Sequence, residues 1–177
     1  MKTVVLGPPP AELQALIERR QALGIDIFDE VWEGSYHVVP APNAAHAYLD
    51  NVLAVLLHPY AEAAGLVGTG PFNLGGPDDY RVPNRAYHRG RPTGTWIATA
   101  AVVVEIISPD DETFDKFSFY ARREVDEVLV ADPSTRELTL WRRTSDQGYE
   151  KVSVSSLLRV AAADLGASIA WPEETTG

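Results

Sequence analysis

The run AVVVEIISP, residues 101–109, constrains this chain more than any other stretch. From Ala101 to Ile107 it is apolar except at Glu105, so it reads as a buried central strand from about Ala100 to Ile107. An ionised carboxylate taken out of water costs several kcal/mol unless a cation or hydrogen-bond donors compensate. The strand therefore predicts a partner for Glu105, either a structural counter-charge or a metal ion.

Side chains alternate across a strand, so Val103, Glu105 and Ile107 share one face. Lys116 follows after an acidic turn, at the start of TFDKFSFYARREV, an amphipathic helix with Phe114, Phe117 and Tyr120 on one side. A strand–turn–helix return can bring Glu105 and Lys116 together. Carboxylate and lysine around a divalent ion make up the kit for phosphodiester hydrolysis. The carboxylates hold Mg²⁺, the metal lowers the pKa of a bound water, and the lysine steadies the hydroxide or the phosphate charge. From these two residues alone, a plain Glu105–Lys116 ion pair closing a turn is the competing reading.

The surrounding elements supply the frame. Residues 1–9 read as an irregular arm, and AELQALIERRQALG as a helix stopped by Gly24. IDIFDEVWEGSYHVV reads as a strand pair turning at Glu33-Gly34. Asn43 caps a long helix that Pro59 should kink or restart and Gly65 should end. Short strands are expected near 66–74 and 80–88, then DEVLVADP, RELTLWRR and GYEKVSVSS, and a last strand at SIAWP. The order predicts one α/β (α+β) domain, residues 1–177, with a mixed central sheet flanked by helices. No apolar run approaches the ~20 residues that span a bilayer, and the N-terminus does not read as a signal peptide. The expectation is a cytoplasmic protein. With no cysteine, thiolate nucleophiles and thiolate zinc sites are excluded. The net charge of -10 argues against coating nucleic acid by bulk electrostatics, so any such contact needs a local basic patch.

The segments WEGSYHVVPAPNAAH, DDYRVPNRAYHR and VVVEIISPDDETFDKFSFYARREVDEVLVADP, with the Trp-bearing strand after them, resemble the Uma-type restriction endonuclease family of the PD-(D/E)XK nuclease superfamily. The resemblance covers about residues 28 to 142. It implies a restriction-endonuclease-like core with a metal site (Mg²⁺ or Mn²⁺) at a split in the central strands. It also implies DNA as substrate and, by analogy, a homodimer. The family's central-strand Glu maps to Glu105. Its lysine, displaced from the strand position held here by Ile107, maps to Lys116. Its helix-start histidine maps to His46, and its acidic-Gly turn to Glu33-Gly34.

One position departs from that pattern. The family's Pro-Asp, whose Asp is the principal metal ligand, reads Pro83-Asn84 here. An amide oxygen brings no negative charge, so metal affinity should fall and cleavage should be lost or impaired. Three readings stay open: a natural loss of activity, an engineered substitution that freezes catalysis, or charge supplied from the preceding turn by Asp79 or Asp78. A non-catalytic nuclease-fold binding or assembly module is the alternative function.

Other candidates carry bland readings beside sharp ones. Arg81, Arg85, Arg89 and Arg91, with His88, form either a phosphate-gripping patch or a solvated strand edge. His46 stands four residues before Asp50 and can pair with it, or can donate from behind the metal site. Glu33 completes the metal shell or simply makes a turn. Asp110, Asp111 and Glu112 suit a helix start for dipole reasons alone. Trp32, Trp96 and Trp141 read as core or interface anchors.

Overall fold

A computed structural model describes residues 3–5, 10–108, 112–144 and 148–172. The turn acids Asp110 and Asp111 lie outside the described residues. The elements run β1 (Thr3–Val5), α1 (Ala11–Leu23), β2 (Glu30–Trp32), β3 (Ser35–Val38), α2 (Ala44–Ala63), β4 (Val67–Thr69), β5 (Asn73–Gly76), β6 (Asp79–Arg81), β7 (Arg85–His88), β8 (Trp96–Ile97) and β9 (Val102–Ile106). A single 3₁₀ turn, Phe114–Lys116, then leads into α3 (Phe117–Arg122), β10 (Glu127–Asp132), β11 (Glu137–Arg143), β12 (Tyr149–Val152) and α4 (Ala162–Ser168).

The strands form two mixed sheets. The first runs β1-β3-β2-β6-β5-β8 and the second β12-β11-β10-β9-β7-β4. The most apolar strand lies inside the second sheet. Strand β9 pairs in parallel with β10 and antiparallel with β7. All five of its residues are buried, as expected for a strand covered on both faces. The parallel β9–β10 pair needs a crossover, and the 3₁₀ turn with α3 supplies it. The chain passes from the first sheet to the second between β6 and β7, at residues 82–84.

Alternation along β9 sorts the core. Val102, Val104 and Ile106 pack with Leu49, Leu53, Leu57 and Ala61 of α2. Val103 packs on the opposite side with Phe119, Tyr120 and Leu74. Helix α2 presents its buried residues at i, i+4, i+8 and i+12, one continuous stripe. Its N-terminus is capped as expected, with Asn43 Oδ1 accepting from the His46 amide at 2.9 Å.

Several expectations are corrected. The N-terminal arm contains a strand, with Thr3–Val5 pairing against β3. Helix α2 runs through Pro59 without restarting. Val55, whose carbonyl loses its helical donor to the proline, is 70% exposed and open to water. No strand forms at SIAWP; Gly166 lies inside α4, which packs on β11 through buried Leu165. Phe114 is 52% exposed, though its ring centroid lies 5.2 Å from that of Phe117; Phe119, Tyr120 and Ala121 are the buried residues of α3. No helix among the described residues is long and apolar enough to cross a membrane.

Candidate active site

The partner predicted for Glu105 is present. Its Oε1 accepts a short hydrogen bond from the Tyr120 hydroxyl and lies 3.3 Å from Lys116 Nζ. Lys116 and Tyr120 are four residues apart at the start of the crossover, so one helical turn stacks both donors over the strand carboxylate. Burial pushes the Tyr120 phenol well above its ordinary range, and the Glu105 charge adds to the effect. Tyr120 therefore remains a donor.

A second carboxylate, which the sequence reading did not single out, meets Lys116 from the first sheet. Glu30 Oε1 accepts from Lys116 Nζ at 2.8 Å and from the Val82 amide at 2.8 Å, while Oε2 accepts from Trp32 Nε1 at 2.6 Å. Glu30 is 2% exposed. Burial by itself would raise its pKa. The Lys116 charge and the hydrogen bonds from Lys116, Val82 and Trp32 outweigh burial and hold it below the ordinary carboxylate value. The signal available in the sequence was weak, since an acid opening a three-residue strand beside a turn resembles punctuation.

Asn84 stands at the split between β7 and β9. The ladder ends at Arg85↔Val104, and beyond it the Asn84 side chain replaces the departed backbone. Its Oδ1 accepts from the Ile106 amide at 2.8 Å. That bond turns the Asn84 NH₂ toward His46, where Nδ2 and Nε2 are 2.6 Å apart. An amide nitrogen only donates, so His46 Nε2 is the acceptor.

These groups line one cleft of about 400 Å³. Glu30, His46, Asn84, Glu105, Glu112 and Lys116 form its polar end, and Phe28 with the strap 39–42 forms an apolar wall. The oxygen donors Glu30, Glu105 and Asn84 are of the hard type that Mg²⁺ prefers. Their arrangement does not fit a divalent ion as it stands. The Lys116 ammonium bridges the two carboxylates, and the Asn84 amide is turned to Ile106 and His46. Among the described residues no group of three or more His, Asp or Glu gathers at metal-holding spacing.

The remaining candidates lie elsewhere. Glu33 is 74% exposed at its side chain and meets Arg122 at 3.3 Å, and its amide donates to Asp79. It forms the turn and does not reach the cleft. Asp79 pairs with Arg81 at 3.0 Å and lies 3.8 Å from Arg123, away from Asn84. Exposed Asp78 is not in the cleft lining either.

The arginines do not gather into a patch. Arg81 is buried, its guanidinium 4.2 Å from the ring centroids of both Trp32 and Phe119. Arg85 makes a two-pronged pair with Asp50, at 3.1 and 2.9 Å. Asp50 is thereby directed to β7 instead of to His46. Arg89 pairs with Asp126 at 2.7 Å and borders a separate cavity of about 540 Å³ near Arg159. That cavity holds no carboxylate–amine pair. Trp32 stacks on His37 at 4.6 Å, Trp141 packs edge-on to Phe117, and Trp96 is 43% exposed.

A family model described as "Putative restriction endonuclease" matches residues 21–171. The fold is similar to the crystal structure of a "putative nuclease belonging to DUF820" from Anabaena variabilis. The TM-score is 0.64 at 15% identity, over 79% of this chain and 90% of that one. No curated protein matches.

Proposed function

The chain belongs to the Uma2 family, and from that premise we propose that the cleft is a nuclease site for DNA phosphodiester bonds whose cleavage is impaired by Asn84. The observation that carries the reading is the convergence of Glu105 and Lys116, 3.3 Å apart, in the cleft that also holds Asn84. In this reading Glu105 supplies negative charge. Lys116 is a fixed ammonium that offsets charge building on a phosphate oxygen. His46 orients residue 84. The missing component is a carboxylate at 84, without which a divalent ion is held weakly.

A second reading, a non-catalytic nuclease-fold binding or assembly module, draws on the same amide. Asn84 has both its oxygen and its nitrogen in hydrogen bonds, a settled structural arrangement.

Titration of Mg²⁺ or Mn²⁺ by calorimetry into the protein and into Asn84→Asp separates the two. The substitution keeps shape, and a carboxylate can still accept from Ile106 while His46 changes tautomer to donate. The nuclease reading expects metal binding and nicking of plasmid DNA to appear in Asn84→Asp and to vanish when Glu105→Ala is added. Failure of both proteins to bind metal would leave only the module.

A further inference from the structure

We infer that Glu30 is the positioning residue of this cleft, holding the Lys116 ammonium over Glu105 while fixing the Val82 amide two residues before Asn84. The inference rests on the nuclease reading for its functional meaning, though not for its test. Lys116 lies closer to Glu30 (2.8 Å) than to Glu105 (3.3 Å). One oxygen, Oε1, receives both the ammonium and the Val82 N–H, so a single atom ties the crossover helix to the segment carrying Asn84. Trp32 Nε1 pins the other oxygen, which prevents the carboxylate from rotating away. A buried carboxylate is costly to keep without such partners.

The arrangement answers a mechanical need. A lysine arm of four methylenes has wide rotamer freedom, and Lys116 arrives from a turn instead of from the strand that carries Glu105. An anchor on the first sheet restricts that arm. Glu30 also links the two sheets chemically, since Glu105 and Asn84 belong to the second sheet and its edge.

The test reads the Lys116 ammonium directly. The chain has three lysines, Lys2, Lys116 and Lys151, so ¹⁵N-lysine labelling gives a spectrum simple enough to assign with Lys116→Arg. A held ammonium exchanges its protons slowly and shows an N–H cross-peak at neutral pH. A solvated one is broadened away. The wild-type protein is expected to show the Lys116 peak, Glu30→Gln to lose it, and Glu105→Gln to retain it.

Absence of the peak from the wild type, or its survival in Glu30→Gln, overturns the inference. So does its loss in Glu105→Gln, which would make Glu105 the holder of the ammonium. Should Glu30→Gln not fold, Glu30→Asp replaces it: the shortened arm is expected to lose the peak, and survival overturns the inference. Neither metal nor DNA enters the experiment, so its outcome is separate from that of the nuclease reading.

Discussion

At the scale of single residues, the cleft depends on donors matched to buried acceptors. Tyr120 is wholly buried and its hydroxyl is directed at Glu105. Tyr120→Phe leaves the packing volume nearly unchanged but removes a donor from a buried carboxylate. The expected loss is about 1–3 kcal/mol of unfolding free energy, read by urea denaturation. Glu105 was legible in the sequence because an acid in an apolar strand is anomalous, and Lys116 because it follows across one turn. Glu30 was not legible. Its importance comes from a contact 86 positions away in the chain, and no local pattern encodes that. Glu33, three residues on, was the more conspicuous acid, yet it faces solvent. The arginines around Asn84 formed a cluster only in the linear sequence. In space Arg81, Arg85 and Arg89 each meet a different carboxylate, Asp79, Asp50 and Asp126.

At the scale of elements, the β5–β6 hairpin depends on backbone freedom at one position. Gly75 has φ +128, and a Cβ there would lie 2.4 Å from the Asp79 carbonyl oxygen. Both the torsion and the space exclude a side chain. Gly75→Ala should cost on the order of 3 kcal/mol, seen as a lower thermal midpoint. The cap of α2 is a milder case: Asn43→Ala removes the acceptor of the His46 amide and should cost about 1 kcal/mol, measured in the same way. The cap, the Glu33-Gly34 turn and strands β9 to β11 were all readable, because hydrophobic period and cap chemistry are local. The crossover read as one amphipathic helix, whereas its first turn is 3₁₀, in which residues i and i+3 eclipse, so Phe114 and Phe117 still meet. The C-terminal SIAWP segment was misjudged because short apolar stretches do not distinguish a strand from the packed end of a helix.

At the scale of the whole molecule, acid sensitivity should appear in two stages. Burial lowers the His88 pKa below its ordinary 6.5. The unfolded chain then binds a proton there that the folded one refuses. Stability falls as pH drops through about 6.5 and continues to fall until the lowered folded value is passed. Glu30 acts later: its folded pKa is depressed, so its contribution is complete above the ordinary carboxylate value and is lost as pH falls through the lowered one. Urea midpoints at pH 7.5 and 5.5 should therefore differ, and His88→Gln should shrink that difference. The first stage could not be read in the sequence, since nothing local says that His88 is buried against Thr69. The mixed α/β character was readable from element order. The division into two sheets was not, because the chain crosses between them repeatedly, at residues 82–84 with no break in composition. That division has a developmental consequence. Glu30 belongs to one sheet, Glu105 to the other, and Lys116 to the crossover beyond them. In a growing polypeptide on the ribosome, the two buried carboxylates therefore have no shared ammonium until Lys116 has been translated and both sheets have closed on it.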